Sequence, residues 1–358
     1  MTTSLRPLVE IDASTLPGHL LARARDPHLV VGRDFVDAEL AVTAGPLTLV
    51  GQAQTLKLLG RESRARAAAT LRVNSLDAAS LQELATAAAP GSTVVGIGTG
   101  MALDAAKAVA WQRELPLIVC PTAVSVDAWV TNTIAVREGG RVGYRGFVVA
   151  DRILLDVGII GRAPARLNRA GLGDVISIHT ALHDWRLGGP RSAPYDPAAA
   201  REARLILDQA EGLLDAIREV TDEAIVGLAR IHLRINALCL SLGHSQPEEG
   251  SEHYLAYQIE AMTGRSFVHG ELVAWATVAM SIVGDHEAAR IAALLDKAGL
   301  RWRTSDIGLA TSTVAAALHG LPAFVLDAGL PSSIADTVNL SANRVNSVLS
   351  ALADLESH

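Results

Sequence analysis

Cysteine is nearly absent from the chain. Only Cys120 and Cys239 occur among 358 residues. This excludes a disulfide framework and makes the reducing cytoplasm the expected location. Aromatic residues are also scarce, at 4% against 49% hydrophobic residues in all. The core must therefore be mostly Ala, Leu, Val and Ile, which is ample for a compact globular chain. No long run of one charge sign is present, and the net charge is −7. Nothing here marks nucleic acid or an anionic membrane as a partner. The longest strongly apolar segment, residues 272–283, is too short to cross a bilayer and predicts a buried helix. The opening stretch MTTSLRPLVEID lacks the basic-then-apolar pattern of a secretory signal. The length suggests two domains, and the apolar composition is compatible with a homo-oligomer.

What is present centres on residues 93–107, TVVGIGTGMALDAAK. Val94, Val95 and Ile97 suit a buried strand. Gly96, Gly98 and Gly100 follow at alternate positions, and helical spacing starts at Met101 with Leu103, Ala106 and Val109. Strand, glycine turn and helix in that order make a phosphate cradle. Glycine lets the backbone approach an anion, and a helix start aims N–H groups at it. The stretch is neither the Rossmann fingerprint, which needs Gly where Met101 stands, nor a P-loop. A tight turn between buried elements uses the same residues.

Around it, residues 29–32, 47–50, 68–73 and 115–119 read as strands, with helical segments at 55–59 and 81–89. The alternation predicts an α/β domain with a parallel sheet and helices on both faces. Ligands of such sheets collect at the carboxyl ends of the strands, where Gly98–Gly100 and Pro121–Ser125 would lie. Residues 133–136 and 143–149 predict a hairpin turning at Gly139-Gly140. Beyond Pro164 the texture becomes Ala/Leu-rich with helical period. Helices are expected at 175–187, 197–219, 222–242, 252–262, 272–283, 288–298 and 335–355. The expected domains are thus 1–164, α/β, and 165–358, all-helical.

Three residues of the helical half carry candidate chemistry. Asp174 sits in the first turn of a helix, a position that also suits a plain helix start. His253 lies just inside one helix and His269 just before the next, and antiparallel helices joined at Gly264 would bring them together. Two imidazoles and one carboxylate suit Zn²⁺ or Fe²⁺ with an open position. Such an ion lowers the pKa of a substrate hydroxyl or polarises the matching carbonyl, and a dinucleotide on the sheet edge accepts the hydride. Metal-assisted alcohol–ketone redox chemistry is the expectation.

The motifs resemble the sn-glycerol-1-phosphate dehydrogenase branch of the superfamily that also holds iron-containing alcohol dehydrogenases and dehydroquinate synthase. Val95-Gly96-Ile97-Gly98-Thr99-Gly100, with Asp104 and Lys107, resembles VGxGGGxxxDxxK. Pro121-Thr122-Ala123-Val124-Ser125-Val126-Asp127 resembles PTAASHD. Ala170 to Ser177, with Thr180-Ala181 and Asp184-Trp185, resembles AGxGDLIS…TAxxDW. Gly250-Ser251-Glu252-His253 matches GSEH, and His269-Gly270-Glu271 matches HGE. The resemblance implies an N-terminal nucleotide-binding domain and a C-terminal helical metal-binding domain. It places Gly98, Thr99, Gly100, Met101 and Ala102 along the pyrophosphate of NAD or NADP. Thr122, Ala123, Val124, Ser125 and Thr131 would lie on the nicotinamide side. Asp127 would bond substrate hydroxyls. Asp174, His253 and His269 would bind the metal, zinc first, with iron or nickel accepted by related enzymes. Lys107 would approach the cofactor or substrate, or cap a surface.

The chain departs from the family at Thr99, Val126, Ala128, Trp129 and Tyr257. Tyr257 stands one helical turn after His253, where the family often has a second His, and shares its helix face. Tyr257, Asp127 and water are the candidate proton acceptors. Arg137, Arg141, Arg145 and Arg265 are phosphate candidates by position. No acidic residue stands at 51–54 to hold a ribose 2′-hydroxyl, which is compatible with NADPH. The expected reaction is NAD(P)-dependent oxidation of a secondary alcohol of a small polyol or its phosphate. The alternatives are a dehydroquinate synthase-like cyclase that uses NAD transiently, and a non-catalytic binding protein on the same fold.

Overall fold

The computed structural model describes residues 5–12, 15–139 and 141–357. The initial MTTS of the opening stretch and Gly140 of the expected hairpin turn lie outside the described residues. The chain divides into two compact units, Met1–Asn168 and Arg169–His358. The sequence texture changes a little earlier, near Pro164.

In the first unit the strands are Leu29–Gly32 (β1), Leu47–Gly51 (β2), Ala67–Arg72 (β3), Thr93–Gly98 (β4), Leu117–Pro121 (β5), Ile134–Glu138 (β6), Arg141–Arg145 (β7) and Arg152–Asp156 (β8). The helices are Gly18–Arg25 (α1), Val36–Ala41 (α2), Arg61–Ala65 (α3), Ala78–Ala87 (α4), Gly100–Arg113 (α5) and Val157–Gly161 (α6). Ala165–Ala170 (α7) leads out of the unit. Six strands pair in parallel in the order β1-β8-β5-β4-β2-β3. β6 and β7 form the antiparallel hairpin. Alternation sorts the side chains to two faces. Leu47, Leu49, Val95, Ile97, Ile118, Cys120 and Leu154 pack with Val36 and Leu40 of α2 and Ile159 of α6. On the other face α5 lies so close to β4 that a methyl group at Gly96 would sit 2.6 Å from the Ala106 Cβ.

Two expectations in this unit need correction. β8 is not foreseen, because RILLD is short and flanked by charge, yet it sits inside the sheet. β5 starts at Leu117 rather than Leu115 and runs to Pro121, which pairs with Gly98 so that the two loops share one edge.

Asp156, at the end of β8, ties this edge together. It is 1% exposed. Its carboxylate accepts the backbone N–H groups of Asp34 (2.8 Å), Phe35 (2.8 Å), Val36 (3.4 Å), Gly158 (2.9 Å) and Ile159 (3.1 Å). Burial pushes the carboxyl up, but these donors outweigh it and hold its pKa below 3.8.

The second unit contains Leu172–Ile176 (α8), Ile178–Leu187 (α9), Pro197–Glu211 (α10), Leu214–Glu219 (α11), Asp222–Leu242 (α12), Ser251–Thr263 (α13), His269–Val283 (α14), Ala288–Ala298 (α15), Thr311–Asp327 (α16), Ile334–Thr337 (α17) and Ala342–Glu356 (α18). Among the described residues it has no strand. Three expected helices are broken. The helix over 175–187 starts earlier and breaks at Ser177, whose hydroxyl bonds the carbonyl oxygens of Asp174 (2.6 Å) and Glu248 (2.7 Å). That over 197–219 breaks after Glu211. That over 335–355 splits before Ser341, which caps α18. α16 is unforeseen and carries Pro322 in its interior. α14 is buried almost throughout, as the apolar run predicts. α12 is long and apolar enough by length and composition to cross a membrane. It packs on α10, and its buried residues include Ile225, Leu228 and Ile235.

Replacing Asp156 by Ala strands five backbone donors. Urea unfolding at neutral pH should show a loss of about 3 kcal/mol or more. The carboxyl's folded pKa is depressed, so its contribution is present above about pH 4 and is lost on acidification below that. A variant as stable as wild type at pH 7 would contradict this account.

Candidate metal centre and nucleotide cradle

In the first unit the cradle forms where β4 meets α5. Gly98 has φ +152°, and a methyl group there would lie 2.5 Å from the Ala102 Cβ. Glycine is required on both counts. The Thr99 carbonyl accepts from Ala102 N (2.9 Å) and Leu103 N (3.1 Å), which starts the helix. Its hydroxyl makes no capping bond. A helix start of this kind is the donor set that a pyrophosphate takes. Thr122 N donates to the Gly98 oxygen at 2.9 Å, so residues 98–102 and 121–125 adjoin on the carboxyl edge. Val124 N is held by Asn168 Oδ1 (3.1 Å), whose amide donates to the Ile160 oxygen (2.8 Å). Nothing in the sequence near Asn168 marks it for this part.

Asp127 opens a short 3-10 turn, Asp127–Trp129, and its carbonyl accepts from Val130 N (2.8 Å) and Thr131 N (3.2 Å). Lys107 is placed otherwise than expected. It is 2% exposed and so caps no surface. Its ammonium bonds Asp104 Oδ1 (2.7 Å) and the carbonyl oxygens of Thr131 (3.2 Å) and Thr133 (2.8 Å). Those three acceptors match its three protons. In this arrangement its ammonium is engaged by the chain's own acceptors. Thr131 turns its carbonyl towards it, with its hydroxyl at 3.5 Å. Two of the phosphate candidates are likewise engaged. Arg145 pairs with Glu10 and Glu138, each at 2.8 Å, and Arg265 donates to the Gly308 oxygen at 2.8 Å.

In the second unit Asp174, His253 and His269 come together, with one ligand atom of each within 4.8 Å of the others. Asp174 Oδ1 lies 3.3 Å from His269 Nε2 and 4.0 Å from His253 Nε2. Asp174 is 3% exposed, and neither of its carboxylate oxygens has a hydrogen-bond partner. A buried carboxylate without a donor is costly unless its charge is met. A divalent ion among the three groups meets it, so the residues fit a metal. His253 is buried. Its burial opposes the charged imidazole, but the Glu252 hydrogen bond and the carboxylates of Glu249, Glu252 and Asp174 outweigh it and hold the pKa up at about 9.

Two glycines set this convergence. A Cβ at Gly173 on α8 would run into the Gly270 carbonyl oxygen on α14. One at Gly270 would run into the Ala170 carbonyl oxygen. The two helices therefore touch backbone to backbone, and each glycine is next to a putting-together residue of the centre: Gly173 precedes Asp174, and Gly270 follows His269. His269 opens α14 itself, where the sequence places it just ahead of the helix. α13 ends at Gly264 with φ +62°, the turn that returns the chain towards α14. Tyr257 lies beside His253, ring centroids 6.0 Å apart, and donates to Glu249 Oε1 at 2.5 Å.

Residues 27–164 match the sequence profile of the iron-containing alcohol dehydrogenases. A glycerol-1-phosphate dehydrogenase [NAD(P)+] of Thermoplasma acidophilum is 28% identical over 298 residues, 81% of this chain and 83% of that one. Its counterpart in Pyrobaculum arsenaticum is 29% identical over 245 residues, 66% of this chain and 71% of that one. The crystal structure of glycerol dehydrogenase from Schizosaccharomyces pombe superposes with a TM-score of 0.68 at 19% identity, covering 92% of this chain and 90% of that one. Residues 27–164 thus resemble the iron-containing alcohol dehydrogenases, and the chain shares the fold of that crystal structure. The two archaeal relatives it resembles are both glycerol-1-phosphate dehydrogenases.

Gly173→Ala or Gly270→Ala should force α8 and α14 apart and weaken Zn²⁺ binding at least about tenfold, by the measure of a ligand shell disturbed. Competition with a chromophoric chelator reads this directly. Wild-type affinity in both variants would show that the contact does not set the centre.

Proposed function

We propose that the protein is a metal-dependent, NAD(P)-linked oxidoreductase that interconverts a secondary alcohol of a small polyol phosphate, or the polyol itself, and its ketone. One observation carries the reading: the buried, donor-less Asp174 carboxylate beside two imidazoles. The two curated relatives, both glycerol-1-phosphate dehydrogenases, support the phosphorylated substrate. When bound, the ion supplies a Lewis acid for the reacting oxygen and the dinucleotide supplies the hydride acceptor.

The chain's own residues do the rest. Asp174, His253 and His269 hold the ion, zinc by this donor set, with iron or nickel as substitutes. Gly98 to Ala102 line the pyrophosphate, and Thr122 to Ser125 the nicotinamide side. This makes the first unit the nucleotide-binding domain and the second the metal and substrate domain. Asp127 orients substrate hydroxyls. The Tyr257 hydroxyl already donates to Glu249, so a proton taken up at its Oη leaves towards Glu249 Oε1. Cys120 and Cys239 are free thiols, which suits the cytoplasm.

Zinc-loaded protein, given NAD⁺ or NADP⁺ with glycerol 1-phosphate and a panel of polyols and their phosphates, should change absorbance at 340 nm. A chelator should abolish the change. Asp174→Ala and His253→Ala should each lose roughly a thousandfold in turnover, about 4 kcal/mol of lost transition-state stabilisation. Full activity in either variant removes the mechanism. Turnover without net NAD(P)H would instead mark a cyclase.

A further inference from the structure

Glu252 belongs to no expected set of ligands, yet it is fully buried, at 0% exposure, one residue before His253. Its Oε1 lies 2.9 Å from His253 Nδ1 and accepts Gly250 N at 2.7 Å. Its Oε2 accepts the Thr180 hydroxyl at 2.6 Å. An ionised carboxylate only accepts, so the imidazole must present Nδ1–H to it. In the neutral, metal-binding form of the ring that leaves the lone pair on Nε2, the atom that faces Asp174. The other end of the same helix start is held as well. Asp184, one turn after Thr180 on α9, accepts Ser251 N at 2.7 Å through one oxygen and Ile334 N at 2.7 Å through the other. Residues four apart share a helix face. Thr180 and Asp184 therefore clamp the first turn of α13 from one side of α9.

We propose that Glu252 is a positioning residue. Its caged carboxylate, steadied by Thr180, fixes the tautomer and ring orientation of His253 and so sets the affinity of the centre for its divalent ion. The inference rests on the metal reading above. It gives the Thr-Ala-x-x-Asp and Gly-Ser-Glu-His segments a joint physical purpose. Loss of a partner of this kind behind a ligating imidazole typically costs about tenfold to a hundredfold in metal affinity or activity.

The test is Zn²⁺ affinity by chelator competition at fixed pH, with the visible d–d band of Co²⁺-loaded protein as a second readout and far-UV circular dichroism as the check on folding. Glu252→Gln keeps the volume and removes the charge. It should bind Zn²⁺ about 10- to 100-fold more weakly and shift the Co²⁺ band. Thr180→Val should weaken binding less, and Thr180→Ser should restore it. If Glu252→Gln does not fold, the Val and Ser pair at 180 decides alone. Wild-type affinity and an unshifted band in folded Glu252→Gln, or Val and Ser alike at 180, overturn the proposal. Wild-type protein that binds neither ion sinks the metal reading and this inference with it. Wild-type binding that Asp174→Ala loses and Glu252→Gln keeps sinks this inference only.

Discussion

A carboxylate shut away from water with no donor to meet it is the constraint on which the second unit depends. Asp174 has neither oxygen hydrogen-bonded, and its nearest polar neighbours are ring nitrogens. A single unmet polar group of this sort costs a few kcal/mol, and an unmet charge more. The surrounding structure holds it there nevertheless. The backbone of α14 at Gly270 abuts Gly173 on α8 and Ala170 at the end of α7, and admits no side chain at either glycine. α13 is anchored by Asp184 at Ser251 and by Thr180 at Glu252. Such a layout makes sense when a cation completes it.

The first unit solves a related problem with its own residues. Asp104 and Lys107 are both buried and pair at 2.7 Å, one helical turn apart on α5. Burial leaves the Asp104 carboxyl raised above its ordinary value, the Lys107 charge offsetting only part of it. Here the cation is built in, and its remaining protons fasten the carbonyl oxygens of Thr131 and Thr133. Breaking such a pair from one side is costly, whereas its net worth when intact is small. Its service is to fix the segment that follows the cradle. Buried charge thus organises both units, met by the chain itself in one and, on the proposed reading, by an ion in the other.

Much of this is legible in the residues. β4, the glycine turn and α5 follow from an apolar run, alternate glycines and a helical period, all local signals. The three ligands are legible as residue types, and the turn at Gly264 allows the two His to meet, but the approach of Asp174 is not legible before Gly173 and Gly270 are placed. What escapes is long-range. β8 is a short strand whose partners, β1 and β5, lie far off in sequence. The breaks at Ser177 and after Glu211 interrupt Ala/Leu-rich periodicity that continues across them. Lys107 reads as approaching the cofactor or substrate, or as capping a surface, until burial and the positions of Asp104, Thr131 and Thr133 are known. Glu252 has a visible signal, an acid next to a candidate ligand. Its function appears only with Thr180, 72 residues away in the chain.

The most direct measurement is anomalous X-ray scattering at the zinc edge from crystals equilibrated with Zn²⁺. The account predicts one strong peak at about 2.0–2.2 Å from an Asp174 carboxylate oxygen, His253 Nε2 and His269 Nε2 together. Well-ordered density for those three side chains with no peak among them would contradict it.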